Sequence, residues 1–220
     1  MRKVFILDFE ATSVDPLTTR PIEVAVSSYD IEAKIATPVY HAVMHDSDYP
    51  VIKQEILDLT HIPLEEIQNG QKPRDCFQCL HDLFQPSTAG KATIVIGHNV
   101  TNYDKPLFDA EAKRHAITMP PIVWIDTLRD LQGDFRCRIL SHLVLDHGFT
   151  VDPTNLHRAA ADVAIVATLL SKYSVPELYK RAIAPRVYVI ADVSFADKEK
   201  AKKKGFRWES PEGDSGPRFP

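Results

Sequence analysis

The first third of the chain reads as strands. Val4–Phe9 is a near-continuous apolar run, the pattern of a central strand buried on both faces. Ile22–Tyr29 and Ile35–His45 follow, with turn chemistry around Asp15-Pro16 and Asp30–Lys34. The period then changes. Val51–Leu59 spaces Val51, Ile52, Ile56 and Leu59 as a helix does, and Arg74–Phe84 repeats the pattern with Phe77, Leu80, Leu83 and Phe84. Thr93–Gly97 and Ile122–Ile125 are short apolar strands, each closed by polar residues. Tyr103–His115, with Pro106 in its first turn, Arg138–His147, stopped by Gly148, and the Ala-rich Arg158–Tyr173 predict helices. An antiparallel start followed by alternating β and α elements predicts an α/β fold, a mixed sheet with helices on both faces.

From Ala184-Pro185 onward the character changes. Arg186–Val193 has a strand pattern, Ser194 and Asp197 resemble a helix start, and Lys198–Lys204 predicts a basic helix ended by Gly205. The final dozen residues, rich in Pro, Gly and Asp, predict an unstructured end. The expected division is a first domain over 1–184 and a small basic module over 185–220.

Charge sharpens that division. The chain's net charge is −4, but residues 186–208 hold seven Lys and Arg against three Asp and Glu, whereas residues 1–185 hold 18 against 24. A polyanion is the natural partner of such a tail. At 220 residues and 44% hydrophobic content, the chain can bury one substantial core. No stretch reaches membrane-spanning length, and the apolar run after Met1-Arg2-Lys3 is too short for a signal peptide. A soluble cytoplasmic protein is therefore expected. Three cysteines make no disulfide framework. Cys76, Cys79 and His81 lack a full zinc ligand set, so the two cysteines are expected to be buried helical residues.

The candidate chemistry begins where the first strand ends. Asp8 and Glu10 are one residue apart, so an extended strand points both to one face. Two adjacent carboxylates repel, and a cation between them relieves the repulsion. Asp104 lies just past the second apolar strand, where a helix-capping role is the plain alternative. Asp162 interrupts an apolar helical face near Val163, Val166 and Leu170, a costly place for an unpaired carboxylate, and His157 lies five residues earlier. Hard oxygen ligands of this kind suit Mg²⁺ or Mn²⁺. Two such ions about 4 Å apart can clamp the attacking and leaving oxygens of a phosphodiester. A neutral His has a pKa suited to taking a proton from the attacking water. Asp126 is read as structural or supporting, and the remaining histidines as ordinary.

Three segments carry a family resemblance: Phe5-Ile6-Leu7-Asp8-Phe9-Glu10-Ala11-Thr12, Gly97-His98-Asn99-Val100-Thr101-Asn102-Tyr103-Asp104 and His157-Arg158-Ala159-Ala160-Ala161-Asp162. In order and separation they resemble the DEDDh branch of the DnaQ-like 3′→5′ exonucleases, which have a ribonuclease H-like fold. Pro21–Ala25, Trp124–Leu128 and Leu59–Ile62 look like secondary landmarks of that family. The resemblance implies that Asp8, Glu10, Asp104 and Asp162 hold two Mg²⁺ ions, with Mn²⁺ able to substitute, and that His157 is the general base. It also implies that Thr12 meets the 3′-terminal nucleotide through its backbone, and that His98 and Asn99 neighbour the site or the substrate strand. Ala11 and Tyr103 depart from the family's usual Thr and Phe. In the tail, Val193–Asp197 and Ala201–Trp208 resemble the small C-terminal module of exonuclease X-like proteins, without its usual following strand, and similar modules accompany other DNA-processing enzymes, many from phages. That likeness favours DNA 3′ ends over RNA. An exoribonuclease of RNase T-like or oligoribonuclease-like type, and a non-catalytic nucleic-acid-binding module, are the other readings.

Overall fold

The computed structural model describes residues 3–16, 18–133, 135–152, 156–186 and 189–206. The chain divides into two compact units, Met1–Ile183 and Ala184–Pro220. In the first unit, β1 (Lys3–Ala11), β2 (Pro21–Asp30) and β3 (Ile35–Val43) form an antiparallel meander. Three helices follow: α1 (Gln54–Thr60), α2 (Leu64–Gln68) and α3 (Pro73–Leu83). Then β4 (Thr93–Gly97), α4 (Asp104–Arg114), β5 (Ile122–Asp126), α5 (Thr127–Asp130), α6 (Leu140–Asp146), α7 (Ala159–Leu170) and α8 (Val175–Ala182) complete it. The sheet order is β3-β2-β1-β4-β5, and β4 runs parallel to both β1 and β5.

Alternation along β1 builds two cores, one on each face of the sheet. Val4 and Ile6 pack with Leu143 of α6, Val163, Val166 and Leu169 of α7 and Leu178 of α8. Leu7, Phe9 and Ala11 pack with Cys76, Phe77 and Leu80 of α3 and Leu107 and Phe108 of α4. The second core is rich in rings: Phe77 lies 6.0 Å from Phe9 and 5.6 Å from Phe108, which meets Trp124 edge-on at 5.4 Å. A smaller cluster, Ile22, Ile62 and Ile67, seats α1 and α2 against β2. Pro73 opens α3 in the first-turn position where its missing N–H is harmless. Gly148 follows α6 at a φ of 79°, as a helix stop requires.

In this first unit the predicted strands and longer helices form within a few residues of their expected ends. The short α2, α5 and α8 carry no period long enough to announce them. Cys76 is buried as expected, but Cys79 is exposed, because the buried stripe of α3 runs through Pro73, Cys76, Phe77 and Leu80 and leaves it at the edge.

In the second unit, Ser194 precedes a single 3₁₀ turn, Phe195–Asp197, and α9 (Lys198–Lys203) follows. Gly205 has a φ of 88°, consistent with the expected stop. Among the described residues, Val189–Val193 forms no strand. The apolar pattern there has no neighbouring strand to pair with, and a lone strand has nothing to satisfy its backbone. Val187, Tyr188, Trp208 and the expected unstructured end lie outside the described residues.

Candidate active site at the carboxyl end of strand β1

Asp8 and Glu10 continue the face of β1 that begins with Val4 and Ile6, so both point toward α7 rather than toward the aromatic core. Three further groups arrive from elsewhere. Asp104 is the first residue of α4, with Tyr103 in the cap position, so it does not cap its own helix. Its buried carboxylate instead accepts the Phe9 amide at 3.0 Å, which anchors it to the backbone between Asp8 and Glu10. Asp162 lies in the first turn of α7, and His157 precedes that helix in an exposed loop at a φ of 62°. Ligating atoms of Glu10, His157 and Asp162 all lie within 4.8 Å of one another.

The electrostatics report a shortage of positive charge. Burial pushes Glu10 up to about 9, reinforced by Asp162, Glu23 and Asp104, and Arg158 opposes it. Burial likewise raises Asp104 to about 7 although the Phe9 amide pulls it down. Asp162 rises to about 6 through burial, with His157 opposing. Asp8 is raised well above the carboxylate range by burial, then by Asp104, Glu10 and Asp162. Four carboxyls that cannot all ionise together form a hard-oxygen set suited to a divalent cation.

Further residues shape the loops. Gly97, last in β4, lies so close to β1 that a Cβ would come 2.8 Å from Val100 Cβ and 3.0 Å from the Leu7 carbonyl oxygen. His98 is held through Nδ1 by the Thr127 hydroxyl at 2.9 Å, and burial lowers its pKa. Asn99, at a φ of 58°, supplies the turn into α4. Asp126 caps α5 through the Leu128 amide and also accepts the Thr101 amide, the supporting role expected of it. Thr12 is tied into its own loop. Its amide donates to the Arg20 carbonyl, and its hydroxyl bonds Thr19 and accepts the Arg20 amide, so both are committed within the 12–20 loop. Any backbone contact to a nucleotide there narrows to its carbonyl. The Tyr103 hydroxyl, the departure from the usual Phe, donates to the Ser13 carbonyl at 2.5 Å and ties that loop to α4.

One functional neighbour was not singled out from the sequence. Glu23 lies directly across the β1–β2 ladder from Glu10 and is wholly buried. It accepts bonds from Arg158, from the Ala159 amide and from His41. Its charged neighbour Arg158, adjoining His157, was the available signal.

A sequence profile described as Exonuclease, of the RNase T type, matches residues 5–170. The chain belongs to the exonuclease family. The match and the ribonuclease H-like sheet agree with the DnaQ-like resemblance of the three sequence segments. Among solved structures, it is similar to an exonuclease I structure discussed in terms of processivity (19% identity, TM-score 0.65, covering 82% of this chain and 43% of that one). It is also similar to the zinc-ion-bound form of E. coli exonuclease I with single-stranded DNA (19%, 0.63, 82% and 42%). A third is the moderately thermophilic exonuclease I from Methylocaldum szegediense (20%, 0.62, 82% and 42%). At such identities the likeness is one of fold, and the chain spans less than half the length of these exonuclease I chains. No curated protein matches by sequence. Among the described residues, no helix is long and apolar enough to cross a membrane.

Proposed function

We propose that this exonuclease removes nucleoside 5′-monophosphates from DNA 3′ ends by two-metal-ion hydrolysis. The observation that carries the reading is the gathering of Glu10, Asp162 and His157 within 4.8 Å, beside Asp8 and the anchored Asp104. Asp8, Glu10, Asp104 and Asp162 would hold two Mg²⁺ ions, or Mn²⁺ in their place. The cations bound there supply Lewis acidity to the scissile phosphodiester. His157 takes the proton of the attacking water as its oxygen bonds to phosphorus. The bond to the 3′ oxygen of the preceding nucleotide breaks, that oxygen taking a proton from solvent to leave as a 3′ hydroxyl. Because His157 is exposed, it can return the water's proton to solvent. The 12–20 loop and the Asn99 turn flank the terminal nucleotide.

The division of labour we propose places this chemistry in residues 1–184 and phosphate-backbone contact in the basic module of 185–220. In that module Lys198, Lys200, Lys202 and Lys203 line a short helix. The tail's charge favours a polyanionic strand, and its likeness to DNA-enzyme modules favours DNA.

The deciding experiment follows 3′- and 5′-labelled single-stranded DNA and RNA with Mg²⁺, Mn²⁺ or EDTA. Stepwise shortening of DNA from the 3′ end, stopped by EDTA and by Asp8→Ala, is expected. Preferential shortening of RNA would overturn the substrate assignment, and intact strands throughout would overturn the activity. For the module, Lys202→Gln with Lys203→Gln should reduce the salt dependence of single-strand binding by about 0.7 in log–log slope per lost phosphate contact. An unchanged slope would remove the module from the binding surface.

A further inference from the structure

We infer that Glu23 and Arg158 form a positioning pair that sets where the His157 imidazole stands, an inference that rests on the exonuclease reading above. The starting point is the sheet register. Glu10 and Glu23 are direct partners across β1 and β2, and both face α7. A second buried carboxylate opposite Glu10 would only worsen the repulsion in the site unless it had partners of its own.

Glu23 has them in full. Its Oε1 accepts Arg158 Nη2 at 2.7 Å, Arg158 Nε at 3.1 Å and bonds His41 Nε2 at 2.8 Å. Its Oε2 accepts the Ala159 amide at 2.9 Å and Arg158 Nε at 3.3 Å. The guanidinium therefore grips the carboxylate through two nitrogens, a geometry that fixes direction as well as distance. Glu66 lies farther out, 3.7 Å from Arg158 Nη2. Ala159 is the first residue of α7, whose cap residue Arg158 makes no side-chain cap bond. The unsatisfied amide at that helix start is met from another strand instead, and a negative charge there also suits the helix dipole.

These contacts bear on His157 because it is the next residue back along the chain. Its φ of 62° is a conformation that a non-glycine residue holds only when its surroundings impose it. On the carboxyl side, both following residues are fastened to one buried carboxylate in the sheet. The same strand pair thus carries a ligand candidate, Glu10, and the fastening point for the proton acceptor that must face it. The histidine loop is referenced to the metal ligands through the β1–β2 ladder.

The test separates positioning from general structural damage. Arg158→Met should lower kcat by roughly 10²-fold, the size expected for a misplacement near 1 Å. KM for a DNA 3′ end and Mn²⁺ affinity without DNA should stay within about twofold, judged against that 10²-fold loss. In a His157→Ala background the same substitution should cost nothing further, because its route to the reaction is gone. Arg158→Lys should restore part of the rate. Losses that multiply in the His157→Ala background, or Mn²⁺ affinity falling in step with kcat, would overturn the pair. If Arg158→Met does not fold, Glu23→Gln carries the same cycle, since it keeps an acceptor for the Ala159 amide. A readout independent of turnover is the Cε1–H resonance of His157. It should move toward the free-histidine position in either variant, and an unmoved line would overturn the inference. Inactive wild-type protein with a shifted resonance in the variants would sink the exonuclease reading and leave the pair standing.

Discussion

Strand β1 treats the two faces of the sheet differently over the same nine residues. Toward α3 and α4 it presents Leu7, Phe9 and Ala11 to a closed aromatic core. Toward α6, α7 and α8 it presents Val4 and Ile6, then Asp8 and Glu10. The first face stays apolar to its end, whereas the second turns ionisable midway. A period of two residues lets one strand serve as both a foundation and a reaction floor. Tyr103 and Asp104 reach over the strand end to the 12–20 loop and to the backbone at Phe9.

Asp8→Asn should break the ionisable face most severely. Turnover should fall on the order of 10³-fold, the equivalent of several kcal/mol of lost transition-state stabilisation. The melting temperature without metal should hold or rise, since a carboxyl crowded by Asp104, Glu10 and Asp162 is removed. Release of labelled 3′-nucleotide and a thermal melt check both halves. A variant that loses activity together with stability would contradict the contrast.

The aromatic face should respond in the opposite sense. Phe77→Ala is expected to cost about 3–5 kcal/mol in urea unfolding, through lost burial and the cavity it leaves. At temperatures where the variant remains folded, kcat should change little. A kcat loss comparable to that of Asp8→Asn would mean that the two faces are not separable.

Protonation provides a subtler test, with the sign fixed by the carboxyls. Asp162, Asp104 and Glu10 rise from 3.8, 3.8 and 4.5 to about 6, 7 and 9 in the fold. Above pH about 4 the folded chain then binds more protons than the unfolded one, so these groups progressively destabilise metal-free protein as pH climbs toward 9. Glu23, opposite Glu10, does the reverse. Burial raises it, but the bonds from Arg158, His41 and the Ala159 amide outweigh burial and lower it below 4.5. Its stabilisation is therefore present above that pH and lost as pH falls through its lowered value. Added Mn²⁺ should raise the melting temperature more at pH 8 than at pH 6, and an equal rise at both would contradict the charge shortage.

The smallest effect belongs to Tyr103→Phe. It deletes the hydroxyl bond to Ser13 and should cost about 0.5–1.5 kcal/mol, with KM for a DNA end changing more than kcat. Equal changes in the two would show that the 12–20 loop reaches the chemistry directly.

Much of the fold was legible because β1, β4 and α7 are long or strongly apolar enough to impose one period. Asp8, Glu10 and Asp162 were legible because their residue types are out of place where they stand: acids closing an apolar strand, an acid inside an apolar helix. Asp104 and His157 took their roles from the family resemblance of their segments. Glu23 was not, since a lone glutamate in Ile22–Tyr29 acquires its meaning from the register that sets it against Glu10. Asp104 could be read as a cap because capping and accepting a distant amide ask for the same side chain; only the crossing of β1 by the α4 turn separates them. In Val189–Val193 the local pattern was genuine, yet no partner strand meets it among the described residues.

Gly97 sets a dimension of the site. A methyl group added there would wedge against Val100, whose carbonyl accepts the Lys105 amide at 2.8 Å and so tethers the beginning of α4. The displacement would pass along that tether to residue 104 and slide its carboxylate off the Phe9 amide. The spacing between the acids of β1 and the acid at the β4–α4 junction is thus gauged by the width of a single hydrogen atom.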